Sequence, residues 1–390
     1  MVGGRFNVKA IYSVPLTISL ILILVLPQSA ALSATGLPDS SQFGYGARLD
    51  VWGQQINPSI SAAAAMGINW LAVEFDWGRY WPEANVLPNL DNLYQVMGAA
   101  QRGNLHVLLS ITNAPAWANT PSGPDPDLTA GLALSLYRLF PDTLLAVELF
   151  PGANLASGWG AHPNPKAYAE LLQATHSSLR EAGAQVLIVA GGLSPLAPVH
   201  SEADIDDAAF LNSLYQAGAS AYMPVVSTRL EDISGDPMAT PQEGSPIVLR
   251  HYERLRKVML ENEHTNSLIW ITSFSWPAGV SQGDGRSLIN HDDEARWLNQ
   301  AYRLLRSQLY IGVAFFDQLN PPSSADRGAN TVARTGNGSS SLVFADASLH
   351  PACSVLTQLT AVNANIKTVI FEGSISKKTP MKLEMKPAGP

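Results

Sequence analysis

Short, almost wholly apolar runs return eight times along this chain, each followed by helix-forming sequence, and this alternation restricts the fold more than any other feature. The runs are FGYGARLDVW (43–52), INWLAVEFDW (68–77), LHVLLSIT (105–112), LLAVELF (144–150), QVLIVAGGL (185–193), AYMPVVST (221–228), SLIWITSF (267–274) and YIGVAFFD (310–317). Runs of this length with little polar alternation suit parallel strands covered on both faces. Helices with readable ends lie between them. One stretch, 89–103, has Asn89 as candidate N-cap and Gly103 as stop; another, 164–183, has Asn164 before Pro165 and ends at Gly183. The stretches 206–218 and 292–308 carry apolar residues at three- and four-residue spacing. Alternating strands and helices form right-handed βαβ units. Eight of them predict a single-domain α/β fold, a (β/α)8 TIM barrel, over 35–361. An open doubly wound sheet is the alternative, but no glycine-rich phosphate loop follows the first strand.

The 390 residues are 46% hydrophobic and 14% charged, enough for a large core. The net charge of -8 and the lack of a Lys/Arg cluster argue against nucleic acid as a partner. The first 34 residues carry Arg5 and Lys9, an apolar run from Ala10 to Leu26, then small residues. That is the pattern of a signal peptide cut after Ala31 or Ala34, giving a secreted or cell-surface protein of bacterial type with no stable membrane span. An uncleaved anchor is the alternative. Residues 362–390 read as a tail of peripheral strands or disorder. The lone Cys353 forms no internal disulfide and fits a core helix position.

Working residues of such barrels sit just past the C-terminal strand ends. Six of the nine Trp fall there: Trp52, Trp77, Trp81, Trp117, Trp159 and Trp276. Indole faces stack on the C–H faces of sugar rings, so the group suits a saccharide cleft, although each one singly could be core. Trp70, Trp270 and Trp297 lie within strand or helix patterns and read as core.

The strand-end motifs resemble those of the clan A glycoside hydrolases, the cellulase, β-xylosidase and β-glucosidase type, from about residue 43 to 360. LHVLLSITNAPAWA (105–118) is similar to their third-strand segment with its Pro-x-Trp. The stretch 164–195 resembles their fourth helix and Gly-Gly-Leu fifth strand, and 206–219 their fifth helix. The resemblance implies an acid/base Glu after strand four, in a motif near E-I-W-N-E-P-N, and a nucleophilic Glu at strand seven, in W-I-T-E-F-G-W. Here Glu148-Leu149-Phe150-Pro151-Gly152-Ala153-Asn154 puts Gly152 in the first place. Trp270-Ile271-Thr272-Ser273-Phe274-Ser275-Trp276 puts Ser273 in the second. Val226-Ser227-Thr228-Arg229 stands where strand six usually ends near His and Tyr, and Ala72 where strand two often carries a basic residue.

Retaining hydrolysis needs two carboxyl groups about 5–5.5 Å apart. Glycine has no proton to give, and serine without a neighbouring base is a poor nucleophile. Three readings remain. In the first, a catalytically degenerate barrel binds an oligo- or polysaccharide through Trp52, Trp77, Trp117, Asn154, Trp159, Ser273 and Trp276. In the second, an active O-glycosyl hydrolase uses relocated carboxylates among Asp50, Asp76 and Asp317. Glu74 also lies near a strand end, and Glu148, deeper in its strand, suits a buried structural role. The third is a non-catalytic surface or partner-binding scaffold. No cofactor is implied. Of the eight His, His106 reads as core and His162 as a possible cleft residue. None stands at metal-binding spacing from an acid, so no metal is expected.

Overall fold

The computed structural model describes residues 43–196, 200–242, 247–276, 289–323 and 341–361. The expected signal segment at 1–34 and the tail at 362–390 lie outside the described residues. Eight parallel strands close into a barrel in which each lies beside its neighbours in sequence. They are β1 (Gly44–Leu49), β2 (Trp70–Asp76), β3 (His106–Thr112), β4 (Leu144–Leu149), β5 (Leu187–Leu193), β6 (Val225–Leu230), β7 (Leu268–Phe274) and β8 (Ile311–Phe316). The main helices are α1 (Ile56–Ala65), α2 (Asp91–Arg102), α3 (Pro126–Leu139), α4 (Pro165–Glu181), α5 (Asp207–Gln216), α6 (Tyr252–Glu261) and α7 (His291–Ser307). A further helix over 352–361 follows β8. The expected (β/α)8 barrel is the observed fold.

The helix ends follow the sequence signals. Asn164 caps α4 by accepting from the Ala167 amide (3.1 Å), with Pro165 in the first turn. Asp125 caps α3 in the same way. At α2 the cap position is Leu90, one residue later than expected, while Asn89 accepts from the Asp91 amide. The largest shift is at β6. Residues expected to begin that strand form a 3-10 turn, Ala219–Tyr222, and pairing starts only after Pro224, which has no N–H for a ladder.

Strand side chains alternate between an outer layer packed under the helices and the barrel interior. Leu71, Val73 and Phe75 of β2 join the outer core. A second cluster, Ala72, Leu108, Ala146, Val189, Val225, Trp270, Val313 and Phe315, fills the interior, with Trp70 and Leu268 against it. Trp70 and Trp270 meet edge to face, 4.9 Å between ring centroids. Glycine makes room for these rings: a Cβ on Gly46 would lie 2.3 Å from the Phe315 ring. Towards the C-terminal strand ends the interior changes character. The inward residues there are Arg48, Glu74, Ser110, Thr112, Glu148, Ser227 and Thr272, and the barrel is apolar below and hydrogen-bonding above.

Candidate functional site

The polar layer is organised around two groups. Glu148 of β4 is fully buried and accepts three hydroxyl hydrogen bonds, from Ser110 of β3 (2.7 Å), Ser227 of β6 (2.9 Å) and Thr272 of β7 (2.7 Å). It ties four strands together from inside, the structural role expected for it. Above it, Arg48 of β1 reaches Glu74 of β2 (3.4 Å) and Asp317, just past β8 (3.9 Å), and donates to the Thr272 carbonyl (3.4 Å). Glu74 also accepts from the Thr112 hydroxyl at 3.0 Å, and its side chain is 41% exposed, so this carboxylate is open to the mouth of the barrel.

Ser273 occupies the strand-seven position and is fully buried. Its hydroxyl lies within bonding distance of Asp317 Oδ2 (3.2 Å) and Glu231 Oε1 (3.4 Å). The same Glu231 oxygen accepts from Arg229 at 2.8 Å. Two carboxylates thus gather on one hydroxyl, each with an arginine beside it.

Gly152 occupies the strand-four position in a tight turn. Its φ is +79°, and its N–H donates to Gly192 O (2.8 Å) and Gly191 O (3.1 Å), which straps the turn to the end of β5. The preceding Phe150 is also left-handed, at φ +47°. A Cβ on Gly152 would meet only Gly158 Cα at 3.6 Å. Backbone conformation rather than space selects glycine there.

The aromatic candidates divide by burial. Trp77, Trp159 and Trp276 are 1–2% exposed and pack as core. Trp159 Nε1 donates to Ser122 O (2.8 Å) and Trp276 Nε1 to Gly235 O (3.1 Å). Asn154 is fully buried and clamps a loop, bonding Ser194 O, Ile205 O and the Ser194 amide. This burial leaves the three indoles no open face for a sugar, and the polar atoms of Asn154 are taken up by backbone groups. Trp52 and Trp117 are half-buried, as is Trp81, and they cluster at the ends of β1 to β3. Trp81 and Trp117 lie 5.1 Å apart, and Trp117 meets Trp77 edge to face at 5.6 Å. The Arg79 guanidinium covers Trp52 at 3.8 Å.

Asp50 and Asp76 hold loops in place. Asp50 accepts from the Trp52 and Ser323 amides. Asp76 caps the short helix Trp77–Tyr80 and accepts from Asn113. Of the acids proposed for relocated chemistry, Asp317 is the one placed within the Arg48 network. Sequence reasoning missed Arg48 and Glu231. Arg48 had a signal, as the lone cation of an apolar strand run. Glu231 had none, being brought in by the path of the chain after β6. His106 packs against Trp70 (5.2 Å), and His162 contacts its neighbour Pro163.

The structure brings together one group of side chains that the sequence reading did not connect. His291 and Glu294 on α7 meet His350, and their ligand atoms lie within 4.8 Å of one another. His350 stands 59 residues from His291, so local spacing could not reveal the group.

No family model matches the sequence, and no curated protein matches it. Solved structures do resemble it. A family 39 glycoside hydrolase from the gut symbiont Bacteroides cellulosilyticus superposes with a TM-score of 0.60 at 16% identity, over 85% of this chain and 65% of its own. A glucosidase from Croceicoccus marinus gives 0.58 at 12% identity, over 78% and 63%. The family 1 β-glucosidase from Thermotoga maritima gives 0.54 at 15% identity, over 83% and 97%. This chain spans less than two thirds of the first two. At these identities the likeness is one of fold, the (β/α)8 barrel that this chain shares with those hydrolases. Among the described residues no helix is long and apolar enough to cross a membrane.

Proposed function

We propose that this chain is a glycoside hydrolase-like barrel that does not hydrolyse by the two-carboxylate route and binds an oligo- or polysaccharide at the mouth of the barrel. The observation that carries the reading is the state of the two reactive positions. Glycine sits in a left-handed turn at one, and a buried serine, drawn to two acids, sits at the other. Asp317 and Glu231 each lie beside a guanidinium, Arg48 at 3.9 Å and Arg229 at 2.8 Å. Carboxylate acceptors and guanidinium donors at one opening suit a ligand with many hydroxyls, and the half-buried Trp81 and Trp117 lie beside it. The reading extends to export, to the cell surface or the medium, which the amino-terminal run of Arg5, Lys9 and the apolar stretch from Ala10 to Leu26 supports.

Titration with a panel of oligosaccharides, followed by tryptophan fluorescence and calorimetry, tests the proposal. Saturable binding is expected to at least one neutral saccharide, weakened about 10-fold by Trp117→Ala, the loss of about one stacking contact. No binding across the panel sinks it. The competing reading, a working hydrolase centred on Asp317, is separated by aryl glycosides. Turnover that disappears in Asp317→Asn would establish that enzyme and refute the binding-only reading.

A further inference from the structure

We propose that His291, Glu294 and His350 form a binding site for one divalent transition-metal ion of the zinc type. His291 and Glu294 stand three residues apart in the first turn of α7, on one face, and His350 comes from the segment that follows β8. The donor atoms converge. His350 Nε2 lies 2.7 Å from His291 Nδ1 and 3.2 Å from Glu294 Oε2, and His291 Nδ1 lies 3.7 Å from the same oxygen. Metal–ligand bonds of about 2.0–2.1 Å place tetrahedral donors about 3.3 Å apart. The observed separations straddle that value, so an ion fits once the two imidazoles part by about 0.6 Å and His291 closes on the carboxylate by about 0.4 Å.

The buried acid is the independent sign. The Glu294 side chain has no exposure, and neither of its oxygens has a hydrogen-bond partner of good geometry among the described residues. A carboxylate out of water with so little compensation is costly, and a cation between it and the two imidazoles removes the cost. The His291 side chain is 36% exposed, which leaves a path for the ion from solvent and room for a fourth, water ligand. Two nitrogen donors with one carboxylate suit zinc and its neighbours and disfavour calcium and magnesium, which take oxygen sets.

One contact opposes the ion. His350 Nδ1 accepts from the Ala352 amide (3.0 Å), so in the metal-free protein the ring's single proton sits on Nε2. For Nε2 to ligate, that proton moves to Nδ1 and the amide turns to another acceptor. One cap bond at a helix start is a small loss against three metal bonds. It also supplies a signature: metal binding switches the His350 tautomer.

The full-length protein, stripped with a chelator and titrated with Zn2+ by calorimetry, is expected to take up one ion per chain and to melt at higher temperature. Mg2+ and Ca2+ should do neither. Nitrogen NMR should show His350 passing from the Nε2–H to the Nδ1–H form. Loss of a partner that merely orients a ligand costs about 10–100-fold in affinity. Loss of a ligand should therefore cost at least that much in His291→Ala, whose side chain is partly exposed and not needed to fill the core, and in Glu294→Gln. Absence of uptake by the unaltered protein, or equal uptake by both variants, overturns the proposal.

Discussion

At Gly152 the chain adopts a conformation that an L-residue enters only with strain, so any side chain placed there would strain the turn. Gly152→Ala should destabilise the protein by about 1–2 kcal/mol, read from the denaturant midpoint, with no clash to blame. The double change Gly152→Glu with Ser273→Glu should fail to produce glycosidase turnover on aryl glycosides, because the new acid would leave a left-handed residue in a direction set by that turn. Glu148 gives the opposite case. Glu148→Gln replaces an acceptor by a partial donor facing three hydroxyl donors, and should cost about 1–3 kcal/mol in chemical denaturation. The burial and hydrogen bonding of Glu148 were legible in the sequence from its place deep in an apolar strand. The engagement of the serine was not, because Glu231 and Asp317 reach it from 42 and 44 residues away.

Strands and helices were the most readable level. Apolar runs bounded by Gly, Pro and Asn mark local conformations that the backbone adopts for local reasons, and seven of the eight strands begin within two residues of the expected place. β6 departs because Pro224 cannot enter the ladder. The aromatic ring misled because sequence reports which residues follow strand ends but not which way a loop folds back. Trp77, Trp159 and Trp276 were turned inward by their loops, whereas Trp52 and Trp117 stayed half open. Inside the barrel the fit is close enough for one methyl group to matter. Gly46→Ala drives a Cβ into the Phe315 ring and should cost about 1–3 kcal/mol of overpacking, with a matching fall in melting temperature.

For the molecule as a whole, burial holds back the ionisation of its phenols. Tyr45, Tyr80, Tyr168, Tyr215, Tyr252, Tyr302 and Tyr310 all titrate above their ordinary value, mainly through desolvation. The Cys353 thiol is pushed up to about 11 by the same cause. Each raised acid binds its proton more tightly when folded. The stability it lends is intact below the unfolded value, 9.0 for the thiol and 10.0 for the phenols, and drains away as pH climbs past it. Denaturation midpoints measured from pH 8 to about pH 11 should therefore hold steady at first and then fall steeply. A flat profile would contradict the burial of these groups.

The pairing of Arg48 and Arg229 against Glu74, Asp317 and Glu231 has a consequence for how anything approaches the opening. Two cations against three carboxylates leave one negative charge unmatched, a field that salt screens within about 10 Å at 0.1 M. A neutral saccharide gains nothing from that field, so its capture should proceed at the same rate in dilute buffer and in brine, whereas a charged sugar's should change with salt.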